Sequence, residues 1–167
     1  LLATTAGHCA KTAFSVARFF DGYTLYGSAI QVAASSETYD AAALIVTVNA
    51  ARVRSTPIAV PVRSPPALGT PLTIVGHPVA AIRGPNDGRW TVSYGRMGET
   101  VPNSETGALE YEVYCPRCGA GDSGSGVFDG EGRFVGMVYG VTAVENAAGG
   151  RLPDGLYANV IPAAVLR

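Results

Sequence analysis

The apolar residues of this chain come in short runs with a period of two, and turn residues cut each run off before a helix could form. Ile30 and Val32, and later Ile58, Val60 and Val62, fall at every second position, the spacing that puts side chains on one face of a strand. The 21 glycines and 11 prolines are scattered without period, as many short strands and turns require. The pattern predicts strands around Phe14–Phe19, Tyr26–Ala33, Leu44–Val48 and Ile58–Val62. It predicts further strands at Leu72–Val75, Trp90–Tyr94, Leu109–Tyr114, Gly126–Phe128, Phe134–Tyr139 and Leu156–Val160. Gly84–Gly88 and Asp129–Gly132 read as turns, Val141–Asp154 as a long loop, and Ile161 onward as the start of a short helix. The run Ala41–Val48 is apolar at nearly every position and reads as buried on both faces. Adjacent prolines at 65 and 66 cannot continue a ladder, so residues 63–71 read as a linker between two halves.

A chain of 167 residues suits one domain with a real core. Hydrophobic residues make up 47% and charged ones 15%, which excludes a disordered chain. The formal net charge of −1 and the lack of any basic block leave nucleic-acid binding without a footprint. No apolar stretch approaches the length of a membrane-spanning helix. No nucleic acid or membrane is therefore expected as a partner.

The chemistry concentrates in Gly121-Asp122-Ser123-Gly124-Ser125-Gly126. Glycines let the backbone turn sharply around Ser123, aiming its hydroxyl outward and gathering neighbouring N–H groups. Those are a nucleophile and an oxyanion hole. The same composition also makes an ordinary polar turn. A serine needs a base, and the chain has two histidines. His8 follows a short apolar run in Thr4-Thr5-Ala6-Gly7-His8-Cys9, at the end of a strand. His77, between Gly76 and Pro78, reads as a loop histidine. Asp40, at the mouth of an apolar strand, needs a partner, and a histidine N–H or its own turn would supply one.

In the order His8, Asp40, Ser123, these segments resemble the trypsin/chymotrypsin-like serine peptidases. Thr5-Ala6-Gly7-His8-Cys9 resembles the histidine motif, Asp40-Ala41-Ala42-Ala43-Leu44 the aspartate motif, and Gly121-Asp122-Ser123-Gly124-Ser125 the serine motif. Ser125 stands where many members carry a second glycine. Gly155-Leu156-Tyr157-Ala158-Asn159-Val160 is similar to the last strand of the family. The order is not that of an α/β-hydrolase, whose serine comes first.

The resemblance implies an all-β fold of two antiparallel six-strand-type barrels, chymotrypsin-like. Residues 1–62 would form the first barrel, incomplete at the N-terminus, and 72–167 the second. It implies a serine endopeptidase acting on polypeptides through an acyl-enzyme, with catalytic His8, Asp40 and Ser123 and an oxyanion hole from the N–H groups of Gly121 and Ser123. No metal or cofactor is called for. Val138, Tyr139 and Gly140 would pair with substrate backbone, and Gly155 and Tyr157 would line the specificity pocket. Arg117, six residues before the serine, falls where the pocket base would be; a solvated loop arginine is the other reading. A non-catalytic binding module or an inactive truncated peptidase are the alternatives. In trypsin-like zymogens the acid matching Asp122 pairs with a newly cut N-terminus. Here an internal basic group, as in bacterial and HtrA-like relatives, would have to replace it, or the form is inactive.

Cys115 and Cys118 lie in Cys-Pro-Arg-Cys with no βαβ pattern around them and no fourth metal ligand in view, so a local disulfide is expected. That implies an extracytoplasmic, secreted setting. In the family, Cys9 pairs with a strand that would precede Leu1. The absence of that strand predicts an open first barrel, less stable than a chain extended at its N-terminus.

Overall fold

The computed structural model describes residues 2–11, 17–20, 24–27, 29–47, 60–76, 91–145 and 151–166. His77, Phe14, Val16, Ile58 and the expected turn at 84–88 lie outside them. The chain divides into two compact units, residues 1–59 and 60–167.

In the first unit, β1 (Leu2–Ala6) pairs antiparallel with β5 (Ala41–Thr47), which pairs with β4 (Ala29–Ser36). β2 (Ala17–Phe20) and β3 (Thr24–Gly27) form a separate hairpin. A single strand over Tyr26–Ala33 is thus corrected to two strands in different sheets. β5 is also not buried on both faces. Ala42, Leu44 and Val46 point into the core, while Ile45 is 47% exposed. The sequence run hides this because both faces carry apolar side chains. Among the described residues, the sheet is open at β1, which pairs only with β5.

The second unit is a closed barrel in the order β10-β11-β8-β7-β6-β9. Its strands are β6 (Pro71–Gly76), β7 (Thr91–Pro102), β8 (Leu109–Tyr114), β9 (Gly126–Phe128), β10 (Phe134–Glu145) and β11 (Arg151–Pro162). Closure leaves no sheet edge to pair with another chain. Alternate positions fill the interior: Leu72 and Ile74 from β6, Tyr111 and Val113 from β8, Val138 from β10, Ala158 and Val160 from β11. Each fully buried valine or isoleucine contributes on the order of 2 kcal/mol. Of the segment expected as linker, Pro71 opens β6; Val62, expected in the first barrel, belongs to the second unit and donates its N–H to the Phe134 carbonyl at 2.9 Å. Pro61 makes only an isolated bridge with Phe134 rather than a strand.

β7, β10 and β11 run well beyond the strands expected from sequence, and the Val141–Asp154 loop is corrected accordingly. Thr142, which looks like a loop residue, lies diagonally from Asn159 across β10 and β11, and their side chains share hydrogen bonds. The C-terminal helix is corrected too: 163–165 form a turn after β11.

Asp129 closes the turn between β9 and β10. Its Oδ1 accepts the N–H groups of Glu131 and Arg133 at 3.0 and 2.9 Å, and its Oδ2 accepts Arg133 Nε at 2.7 Å. Burial pushes this carboxyl up, but the bond from the Arg133 side chain and the two N–H groups outweigh it and hold it below the usual aspartate range. The stability it contributes is therefore full above the unfolded carboxyl value and lost as pH falls through the lowered folded one. Thermal midpoints measured from about pH 6 to pH 2 should fall in wild type and fall less steeply in Asp129→Asn. Parallel profiles would contradict this.

Candidate active site

Strand register brings His8 and Asp40 together in the first unit. Ala6 pairs with Ala41, so the next position brings Gly7 opposite Asp40, where Gly7 N–H donates to the Asp40 carbonyl at 2.6 Å. A Cβ on Gly7 would lie 2.9 Å from the Asp40 carbonyl carbon and 2.9 Å from its Oδ1, so only glycine permits this approach. The chain then tightens into a 3-10 turn at Gly7–Lys11 that carries His8. Asp40 ends the turn that begins at Glu37, with φ of +44°, a left-handed conformation that aspartate tolerates better than most residues.

From that position the Asp40 carboxylate takes two bonds from one residue. Oδ1 accepts the backbone N–H of His8 at 2.7 Å, and Oδ2 lies 2.5 Å from His8 Nδ1. A carboxylate only accepts, so Nδ1 carries the proton and the neutral ring keeps its lone pair on Nε2. The His8 side chain is 46% exposed and that of Asp40 31%. Cys9 stands beside this pair. Burial first, then the charge of Asp40, push its thiol up, and a hydrogen bond with Thr5 offsets this only in part. A thiol held protonated is a poor nucleophile.

Ser123 belongs to the barrel unit. Ser123 sits on the loop between β8 and β9, flanked by Gly121 (φ +96°) and Gly124 (φ +90°), both in the left-handed region. Its hydroxyl donates to the Tyr139 carbonyl at 3.3 Å. The turn is docked on β10 by Gly124 N–H to Val138 O at 2.7 Å and Val138 N–H to Ser125 O at 2.9 Å. Among the described residues, the N–H groups of Gly121 and Ser123 donate to no protein acceptor. Asp122 is 2% exposed; its Oδ2 accepts Gly119 N–H at 2.9 Å and its Oδ1 the Ser125 hydroxyl at 3.4 Å.

One residue that sequence reasoning passed over explains how Ser125 fits. A Cβ on Gly76 would lie 1.7 Å from Ser125 Oγ and 2.9 Å from Asp122 Oδ1. Gly76 thus leaves the space that Ser125 fills. The signal was Ser125 itself, a side chain where many relatives have none.

Of the substrate-binding candidates, Val138 is fully buried, with N–H and C=O both committed to the serine turn. Tyr139 and Gly140 straddle a bulge in β10, where pairing passes from Val138↔Val160 to Gly140↔Asn159. Gly155 and Tyr157 lie on β11, and Tyr157 packs edge-on against Tyr114 with centroids 5.9 Å apart. Cys115 and Cys118 form a disulfide, and Arg117 stands exposed on the tip of that loop. Cys115 N–H donates to Leu156 O at 3.0 Å, tying the loop to β11. No cluster of three or more metal-ligating side chains occurs among the described residues, and no helix there is long and apolar enough to cross a membrane.

Known structures share this architecture. The inactive form of the Rv3671c protease from M. tuberculosis, as a serine-to-alanine mutant, superposes with a TM-score of 0.68 at 18% identity, over 99% of this chain and 73% of that one. The active form of the same protease gives 0.68 at 19% identity, over 98% of this chain and 65% of that one. At such identities the likeness speaks to fold. No curated protein matches the sequence. The trypsin-like peptidase domain, as a family, matches residues 2–137, a span that includes His8, Asp40 and Ser123. With the six-stranded barrel, this match establishes that the chain belongs to the trypsin-like peptidase domain family.

Proposed function

We propose that the chain is a serine endopeptidase that cleaves polypeptides through an acyl-enzyme on Ser123. The observation that carries this reading is the double hydrogen bond from His8 to Asp40, which leaves Nε2 as the proton acceptor. Ser123 Oγ attacks the scissile carbonyl carbon as its proton passes to His8 Nε2. The tetrahedral oxyanion is held by the N–H groups of Gly121 and Ser123, which have no acceptor among the described residues. Collapse breaks the C–N bond, and His8 returns the proton to the leaving amine. Water then releases the acid by the same steps in reverse. Asp40 holds the tautomer and stabilises the imidazolium.

Tyr139 and Gly140, with Gly155 and Tyr157, would border the bound substrate, and Arg117 would meet an acidic side chain. The Cys115–Cys118 disulfide supports an extracytoplasmic setting. A fluorophosphonate probe with intact-mass readout tests the reading. Wild type should gain one probe mass, and Ser123→Ala and His8→Ala should gain none. A folded wild-type protein that stays unlabelled would instead be a protease-like binding module or an inactive form.

A further inference from the structure

We propose that the phenol of Tyr139, held by Glu110 and Asn103, is a positioning device for Ser123; the inference rests on the peptidase reading above. The serine turn is docked on residues 138 and 139 of β10 by its bonds to Val138 and by the Ser123 hydroxyl on the Tyr139 carbonyl. At this point the ladder with β11 steps over Tyr139, from Val138↔Val160 to Gly140↔Asn159. A bulge bends the strand and frees a residue from the register of its neighbours. The carbonyl that receives Ser123 therefore sits on a residue at which the β10–β11 register shifts.

The side chain adds an anchor of its own at this point. The Tyr139 hydroxyl donates to Glu110 Oε2 and accepts from Asn103 Nδ2 at 2.9 Å. Asn103 Nδ2 also lies 3.1 Å from Glu110 Oε2, closing a three-membered network. Both anchors are themselves fixed. Glu110 is in β8, paired with Val101. Asn103 starts the turn between β7 and β8: its Oδ1 accepts the N–H groups of Glu105 and Thr106, each at 2.9 Å, and its own N–H donates to Ala108 O at 2.8 Å. Rigid turn, carboxylate, phenol, bulge and nucleophile form one connected path. A charged acceptor makes the phenol bond stronger than a neutral pair would. Reacting groups must be held to a fraction of an ångström, and misplacement by about 1 Å costs on the order of a hundredfold.

The test is the kinetics of inactivation by diisopropyl fluorophosphate, resolved into kinact and KI, with amide exchange at Gly124 read in parallel. Tyr139→Phe keeps the ring and removes the tether. It should lower kinact by about tenfold or more while leaving KI and the thermal midpoint nearly unchanged. Glu110→Ala should do the same, and Glu110→Gln, which keeps an acceptor, should recover most of the rate. Gly124 N–H should exchange faster in Tyr139→Phe, while amides in β6 and β7 do not. Wild-type kinact in Tyr139→Phe overturns the proposal. So does a loss accompanied by a lower midpoint and faster exchange throughout the barrel, the mark of general destabilisation. If wild type does not react at all, the peptidase reading falls, and Gly124 exchange still decides whether the phenol holds the turn.

Discussion

Asp40→Asn should slow hydrolysis and fluorophosphonate labelling by about four orders of magnitude and leave the fold intact. The substitution is nearly isosteric, and asparagine is as much at home as aspartate at the φ of +44° found here. The backbone N–H of His8 can only donate, so it claims the amide oxygen in place of Oδ1. The amide NH₂ is then left facing Nδ1. That nitrogen must turn acceptor, which drives the proton to Nε2, where the base needs a lone pair. Structure survives and chemistry stops. Asp40→Ala is a poorer probe, because it also removes the bond that fixes the start of the 3-10 turn. The measurement is the labelling rate beside the thermal midpoint. A loss smaller than about tenfold in a folded Asp40→Asn protein would mean that Asp40 does not set the tautomer of the base.

How far the sequence carries this site depends on the distance over which each contact acts. Period-two runs such as Leu72–Val75 and Leu109–Tyr114 report their strands because burial alternates within the run itself. The three motifs are equally local. That Gly7 must be glycine, by contrast, follows from the β1–β5 register, which joins residues far apart in sequence. The long ends of β10 and β11 were missed because polar and small residues such as Thr142 break their apolar pattern. Thr142 is satisfied by Asn159 on the neighbouring strand, a pairing that no single segment reveals. The exposed face of β5 and the Tyr139 tether were invisible for the same reason. Glu110, Asn103 and Tyr139 come from three different places in the chain, and each alone reads as a surface polar residue. Ser125, whose oddity is plain in the motif, signals that a neighbour must make room, but only the fold identifies that neighbour as Gly76.

Gly76→Ala should markedly destabilise the second unit. An ideal Cβ at this position lies 1.7 Å from Ser125 Oγ and 2.7 Å from Ser125 Cβ, far inside contact distance. Ser125 cannot swing clear at no cost, because its N–H is bonded to Asp122 O at 2.8 Å and its carbonyl receives Val138 N–H at 2.9 Å. Nor can Asp122 give way, since its buried carboxylate, 2.9 Å from the new methyl, holds the loop through Gly119 N–H. Overpacking of this kind costs about 1–3 kcal/mol, and the immobility of both neighbours puts it at the upper end. In a domain of this size that lowers the thermal midpoint by roughly 6–12 °C. The displacement falls on the turn that carries Ser123, so labelling should slow as well. The decisive variant is the double one. Ser125→Gly removes the obstructing hydroxymethyl, and Gly76→Ala/Ser125→Gly should regain most of the lost midpoint, giving a coupling energy of at least ~1 kcal/mol. Ser125→Gly alone should cost a smaller amount, for the hydrogen bond to Asp122. Additive effects of the two substitutions, or a Gly76→Ala protein as stable as wild type, would show that Ser125 does not occupy the space Gly76 leaves.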